Sequence, residues 1–151
     1  MDSFPQSVVS DELGIGVRAY DFNSKPYIGE LLVRHGDGNQ AISFLDVLDF
    51  IECLQSAVYG LTLFGMEASF YIEESEHVAQ LKNLGDNIGE LRILHGDCLV
   101  HCRSFPIIEG LRAIGRMIKE VCELIARVDS EFDVEAALLK PNICIHERGA
   151  L

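Results

Sequence analysis

The stretch that decides the fold is IGELRILHGDC, residues 88–98, because it repeats an earlier stretch, IGELLVRHGDG, residues 28–38. The two stretches are identical at seven of eleven positions. Both contain a His-Gly-Asp triplet. The repeat is either a chemical site that is present twice or the mark of a duplicated structural unit.

Apolar residues alternate along both copies, as they do in a strand with one buried face. In the second copy Leu91, Ile93 and His95 share one face, and the first copy repeats this pattern. Gly96 lies where the strand must reverse, and Asp97 can bond to the local backbone as turn residues do. Because the identity extends through Ile-Gly-Glu-Leu, which has no catalytic use, the repeat favours a duplicated structural unit.

Each copy is followed by a short strand and then by a helical pattern. Apolar residues recur at spacings of three and four, from Leu45 to Val58 and from Ile108 to Ile125. Ser43 is predicted to cap the first helix, and Ser104 begins the second. Together these patterns define two repeated units, residues 28–59 and residues 88–128.

The other segments complete the predicted architecture. Residues 1–13 are expected to form a loose or edge-lying arm, and residues 14–23 and 66–74 to form strands. We expect a short helix over 75–85, capped by Ser75 and ended by Gly85, another helix over 130–140 and a terminal strand over 142–147. We predict one domain over residues 1–151. Its class is α+β: an antiparallel sheet of about six or seven strands with two long helices on one face, built from two strand–turn–strand–helix units.

The net charge is −12, from 24 acidic and 12 basic residues. This charge repels nucleic acid and anionic membranes but attracts cationic proteins. The sequence has no run of about 18 apolar residues, which a membrane span would need. Its first residues do not resemble a signal peptide. Five cysteines, an odd number, are typical of reduced thiols. We therefore expect a cytoplasmic protein that binds neither nucleic acid nor membranes.

Acidic residues concentrate in three segments of the chain. Acids recur every three residues on the first predicted helix. Others lie at the end of the strand at residues 66–74 and around the start of the last predicted helix. We predict a partner-binding surface made of Asp46, Asp49, Glu52, Glu73, Glu74, Glu76, Asp129, Glu131 and Asp133. The alternative is an acidic face that contacts only solvent.

Histidine and cysteine residues form a second pattern, CLVHC at residues 98–102 and CIH at residues 144–146. Zinc sites use such ligands. On an extended strand, however, Cys98 and Cys102 point to one side and His101 to the other, and the chain has no Cys-x-x-Cys pair. It also lacks a Walker loop, a Rossmann fingerprint and a serine elbow. We predict no metal, no cofactor and no catalytic residue.

The composition of the whole chain resembles that of bacterial immunity proteins for secreted nuclease toxins and of many phage-encoded inhibitors. This resemblance implies a non-enzymatic protein that neutralises a basic partner, such as a toxin or a nuclease domain. One alternative is a small enzyme or metal-binding protein that uses His35, His95, His101, Cys102, Cys144 or His146. Another is an oligomeric scaffold or homodimer, because the repeated units leave sheet edges that could pair between two copies.

Overall fold

The computed structural model describes residues 6–20, 27–35, 38–64, 67–72, 76–129 and 131–133. Within them the chain forms strands and helices in two similar series. The elements are β1 (Gln6–Ser10), β2 (Ile15–Ala19), β3 (Ile28–His35), β4 (Gly38–Asp46), α1 (Val47–Phe64), β5 (Ala68–Tyr71), β6 (His77–Gly85), β7 (Ile88–His95), β8 (Cys98–Pro106) and α2 (Ile107–Val128). Each unit therefore consists of four strands followed by a helix.

The described strands form two separate antiparallel sheets. Sheet 1 has the order β1-β2-β3-β4, and sheet 2 has the order β5-β6-β7-β8. The α+β class is confirmed, but the prediction of one sheet of six or seven strands is wrong. Strands pair only with their neighbours in the chain, and α1 separates β4 from β5.

One segment differs from its predicted conformation, because β6 lies where a short helix was expected. Strand β1 forms an edge of sheet 1, within the arm that was expected to be loose or edge-lying. The helix prediction depended on Ser75 as a cap and Gly85 as the end of the helix. In the structure His77, Ala79 and Leu81 are buried at the alternating spacing of a strand. Pairing with β5 and β7 decides this ambiguous pattern, since both neighbours satisfy its backbone hydrogen bonds.

The glycine of the repeated Ile-Gly-Glu-Leu sequence lies close to the start of the helix in both units, and also close to a neighbouring strand, at the carbonyl oxygen of Arg18 or the ring of Phe105. A methyl group added at Gly29 would lie 2.7 Å from Cγ1 of Val47, the first residue of α1. A methyl group added at Gly89 would lie 3.2 Å from Cγ1 of Ile107, the first residue of α2. The glycine therefore gives the helix room to begin against the strand in both units.

The two helices differ in how deeply they are buried. Helix α1 is buried on most of its surface, whereas α2 has one apolar face and one charged face. Helix α2 ends at Val128 as predicted, while α1 begins at Val47 and continues past Gly60 to Phe64. Among the described helices, none is long and apolar enough to cross a membrane.

One hydrophobic core joins the two units. It includes the inner faces of both sheets, with Leu31 and Val33 on β3 and Leu91 and Ile93 on β7, as the alternation predicted. Helix α1 packs against α2 and also contacts β5 and β6, while α2 contacts β1. Each helix therefore covers part of the other unit's sheet, and the apolar surface of each unit is buried by both.

Candidate functional site

The start of α1 carries the first predicted acidic segment, and Asp46 has a structural role there. The N–H groups of Leu48 and Asp49 each donate to Oδ1 of Asp46 at 3.1 Å. Asp46 therefore caps the helix, and the prediction that Ser43 does so is wrong. Ser43 lies within β4, where its hydroxyl donates to the carbonyl oxygen of Phe44 at 3.2 Å.

The next two acids on α1 face different surroundings. Asp49 is exposed in the first turn, where a carboxylate also suits the helix dipole. Glu52 is half-buried. It lies on the side of α1 that faces α2, where its negative charge acts on the thiol of Cys122. Burial of Cys122, followed by the charges of Glu52 and Glu123, raises the pKa of this thiol to about 11.

The second predicted acidic segment lies beside the start of α1. Tyr71 and Ile72 at the end of β5 line a shallow cavity together with Asp46, Asp49 and Phe50. The cavity has about 10 Å³ of free volume, enough for about one water molecule. Glu76 is exposed just before β6. Glu73 and Glu74 lie outside the described residues.

The third predicted acidic segment follows α2 and reaches the same end of the molecule. Burial raises the pKa of Tyr27, and the charges of Asp129 and Asp46 raise it further, so both carboxylates lie near this hydroxyl. The ring of Phe132 packs edge-on against Tyr27 at a centroid distance of 6.4 Å. Asp129 also accepts a hydrogen bond of 3.0 Å from the N–H of Glu131.

The structure therefore gathers three segments that are far apart in the sequence around the N-terminus of α1. We call this surface the acidic end; its described acids are Asp46, Asp49, Glu52, Glu76, Asp129, Glu131 and Asp133. Asp49, Glu76, Glu131 and Asp133 are exposed.

His101 and Cys102 lie on opposite faces of β8, as the strand alternation predicted. The prediction that Cys98 points to the same side as Cys102 is wrong, because the bulge at Val100 places Cys98, the partner of His95, on the face of His101. His101 faces inward, where its Nε2 lies 3.0 Å from the carbonyl oxygen of Leu13. Cys102 faces outward, and partial burial together with Glu90 raises the pKa of its thiol. A raised pKa leaves little thiolate for catalysis or metal binding. Cys144 and His146 lie outside the described residues.

The second His-Gly-Asp triplet forms a tight turn between β7 and β8. Gly96 has a φ of +62°, a conformation that favours glycine, and Asp97 is exposed. His95 stacks on His77, with ring centroids 4.6 Å apart and an interplanar angle of 13°. The side chain of His35 and residues 36 and 37 lie outside the described part of the first copy.

His77 was missed by sequence reasoning because its segment was predicted to be a helix. As a strand, β6 places His77 opposite His95, and both burial and the neighbouring His95 lower the pKa of His77. In the part of the chain that the structure describes, no group of three or more His, Cys, Asp and Glu side chains is arranged to hold a metal ion.

Comparison of the chain with protein-family models, with curated proteins and with solved structures found no significant match. The functional argument therefore depends on the charges and contacts described above.

Proposed function

We propose that the chain is a non-enzymatic, cytoplasmic binding protein that neutralises a basic protein partner, such as a toxin or a nuclease domain. The observation that carries the proposal is the meeting of three acidic segments at the start of α1. Asp46 and Asp129 are 83 positions apart in the sequence, yet both act on the hydroxyl of Tyr27.

Concentrated carboxylates suit recognition of a basic surface. The net charge of −12 accelerates encounter with a cationic protein, and the exposed carboxylates pair with its lysine and arginine side chains. Asp49 and Glu76 are both exposed. A large fraction of the binding energy of an interface comes from a few residues, so these side chains are the first to test.

Tyr71 adds an aromatic contact to the acidic end. Its side chain is 80% exposed, and the residue lines the cavity that Asp46 and Asp49 also line. Tyrosine is enriched at interface hot spots, and its ring can stack against an arginine guanidinium. The exposed ring of Tyr71 therefore offers an arginine of the partner a surface for stacking, and the carboxylates of the acidic end offer charge pairing.

The described cysteines and histidines support binding over catalysis. The thiols of Cys102 and Cys122 have raised pKa values, which disfavour the nucleophilic thiolate. His101 is engaged with Leu13 at 3.0 Å. The alternative of a metal-binding protein or small enzyme predicts stoichiometric zinc or iron in the purified protein, and elemental analysis that found it would contradict our proposal.

The test compares two variants with the same change in charge. Asp49→Asn/Glu76→Gln/Glu131→Gln removes three exposed carboxylates from the acidic end, whereas Asp86→Asn/Asp97→Asn/Glu109→Gln removes three exposed carboxylates elsewhere. Each is immobilised beside the wild-type protein and exposed to native-host extract at low salt. We expect the wild type and the control variant to retain the same basic protein and the first variant to lose it.

The retained protein is then purified and its association rate is measured against ionic strength. A steep decrease of the association rate with added salt is expected for an acidic binding surface. Equal retention by the two triple variants, or a rate that does not depend on salt, would show that the acidic end is not the binding surface.

A further inference from the structure

The turn between β1 and β2, residues 11–14, belongs to the first unit but is bound by side chains of the second. The guanidinium of Arg103 on β8 donates to the carbonyl oxygen of Asp11 at 2.8 Å. The guanidinium of Arg116 on α2 donates to Oε2 of Glu12, also at 2.8 Å. The turn is therefore attached to two elements of the other unit.

His101 on β8 packs directly against the same turn. Its Nε2 lies 3.0 Å from the carbonyl oxygen of Leu13, and because a carbonyl oxygen only accepts, Nε2 carries a proton and donates. A methyl group added at Gly14 would lie 3.0 Å from Cε1 of His101, so the ring lies against the backbone of the turn. We call the contacts of His101, Arg103 and Arg116 with the turn the clasp.

The clasp holds a segment that has few apolar contacts of its own. Leu13 is completely buried in the core, whereas Asp11 is exposed and Glu12 is half-buried. The ion pairs of Asp11 with Arg34 and of Glu12 with Arg116 join partly exposed side chains, and such pairs contribute little to stability. Segments with few buried apolar contacts open at a lower free energy than the whole domain. We therefore expect the turn to detach without unfolding of both units.

Positive charge exceeds negative charge around the turn, although the whole chain carries −12. The charged groups contributed by the turn and by the three elements that bind it are Asp11, Glu12, Arg34 on β3, Arg103 on β8 and Arg116 on α2. Three cations and two anions therefore surround neutral His101. A proton on its ring adds a fourth cation to this partly buried group.

Protonation of His101 is unfavourable while the turn is in place. Burial is the largest effect and lowers the pKa of His101 below its ordinary value of 6.5, the hydrogen bond to Leu13 opposes this shift, and the charge of Arg103 adds to it. When the turn detaches, water reaches the ring and the pKa returns towards 6.5. The detached form therefore binds a proton more strongly than the closed form does.

We propose that the clasp is a pH-sensitive device that is closed while His101 is neutral and opens, with both units still folded, when His101 takes up a proton. The proton enters at Nδ1, because Nε2 already carries one. The imidazolium can still donate to Leu13, so opening is caused by the charge that is then buried beside Arg103. Opening separates the turn from β8 and α2 and exposes Leu13 to water.

Hydrogen exchange of backbone amides, measured by NMR at pH 7.5, 6.5 and 5.5, tests the proposal. Each rate is divided by the intrinsic rate at the same pH to give the protection of the amide. Protection of Leu13 and Gly14 should decrease as the pH falls, by no more than about tenfold per pH unit because one proton is bound. It should also stay below the protection of the β7 amides, which report on unfolding of the whole chain. A backbone hydrogen bond lowers the pKa of Glu12 below 4.5, so this carboxylate stays ionised throughout.

The variants separate the charge of His101 from its contacts. His101→Gln keeps a donor for the carbonyl oxygen of Leu13 but does not titrate, so the protection of the turn should be nearly constant from pH 7.5 to 5.5. His77→Gln is the matched control, because His77 is the other buried histidine with a lowered pKa and pairs with His95 instead of the turn. It should leave the pH dependence of the turn unchanged.

Arg103→Gln provides a second probe if His101→Gln does not fold. It removes the cation beside His101, so the pH dependence of the turn should become shallower. Three results would overturn the proposal: protection of the turn that does not change with pH, the same pH dependence in His101→Gln as in the wild type, or turn amides as protected as those of β7 at every pH. The last result would mean that the turn opens only when the whole chain unfolds.

Discussion

The imidazole Nε2 of His101 lies 3.0 Å from the carbonyl oxygen of Leu13, although 88 positions separate the two residues. The guanidinium of Arg103 donates to the carbonyl oxygen of Asp11 at 2.8 Å, next to this contact. The turn between β1 and β2 in the first unit is therefore held by β8 of the second unit. Loss of either contact should weaken both units, because they share one core.

Protein stability is expected to decrease as the pH falls below about 6.5. Burial is the largest effect on His77 and His101 and lowers the pKa of each below the ordinary value of 6.5. The unfolded chain therefore binds protons at a higher pH than the folded chain does, and stability is lost between these two pKa values. Urea unfolding at pH 7.5, 6.5 and 5.5 measures the loss.

His101→Gln and His77→Gln should each make this pH dependence shallower, since glutamine does not titrate. The matched control is Gln80→His, which introduces a titrating histidine on the half-exposed outer side of β6. It should leave the slope close to that of the wild type. A wild-type stability that is constant from pH 7.5 to 5.5 would contradict the prediction.

Asp46→Ala should destabilise the protein by about 1 kcal/mol, the typical cost of losing a helix cap. Two backbone N–H groups at the start of α1 lose their acceptor in this variant. Ser43→Ala is the matched control, because Ser43 makes only a local bond to Phe44 within β4 and should change stability by less than about 0.5 kcal/mol. Thermal unfolding followed by circular dichroism compares the two variants. A larger loss of stability in Ser43→Ala than in Asp46→Ala would indicate that Ser43 is the cap.

Gly96→Val should destabilise the protein by about 1 to 3 kcal/mol, because a β-branched residue is strained at a φ of +62°. His95→Gln should cost less, since His95 is exposed at the end of β7. Denaturant unfolding measures both changes. If His95→Gln proves the more damaging, the stack of His95 on His77 contributes more to folding than the turn does.

Cys122 should resist alkylation by iodoacetamide at pH 8 in the folded protein. The residue is buried, and its pKa of about 11 leaves almost no thiolate at this pH. Cys98 is exposed in β8 and should be modified first. Peptide mass spectrometry after timed labelling distinguishes the two thiols. Modification of Cys122 as fast as Cys98 would mean that α2 opens readily in solution.

The duplicated unit could be predicted from the sequence because local patterns specify it. Leu91 and Ile93 alternate with outward-facing residues, and helical spacing places the end of α2 at Val128. The segment of β6 could not be assigned in this way, because Val78, Leu81 and Leu84 also fit a helix. The segment becomes a strand because it pairs with β5 and β7. The sequence of the segment alone does not reveal these partners, so it cannot distinguish the spacing of a helix from that of a strand.

The candidate site was predictable in its composition but not in its arrangement. The sequence identified Asp46 and Asp129 as acidic candidates, yet it could not show that both lie near Tyr27. It also could not show that Asp46 is used as a helix cap, since Ser43 offered an equally suitable hydroxyl. Segments far apart in the chain meet only when both units bury their apolar faces in one core.

The sequence by itself determined the repeat, the charge of −12 and the inward-facing residues of β3 and β7, because residue identity and strand period are local properties. Tertiary structure alone decided that the strands form two sheets, that the acidic segments meet, and that Phe44 is exposed where the second unit has Ser104. These outcomes depend on which apolar surfaces pack against each other, and this packing involves residues from the whole chain.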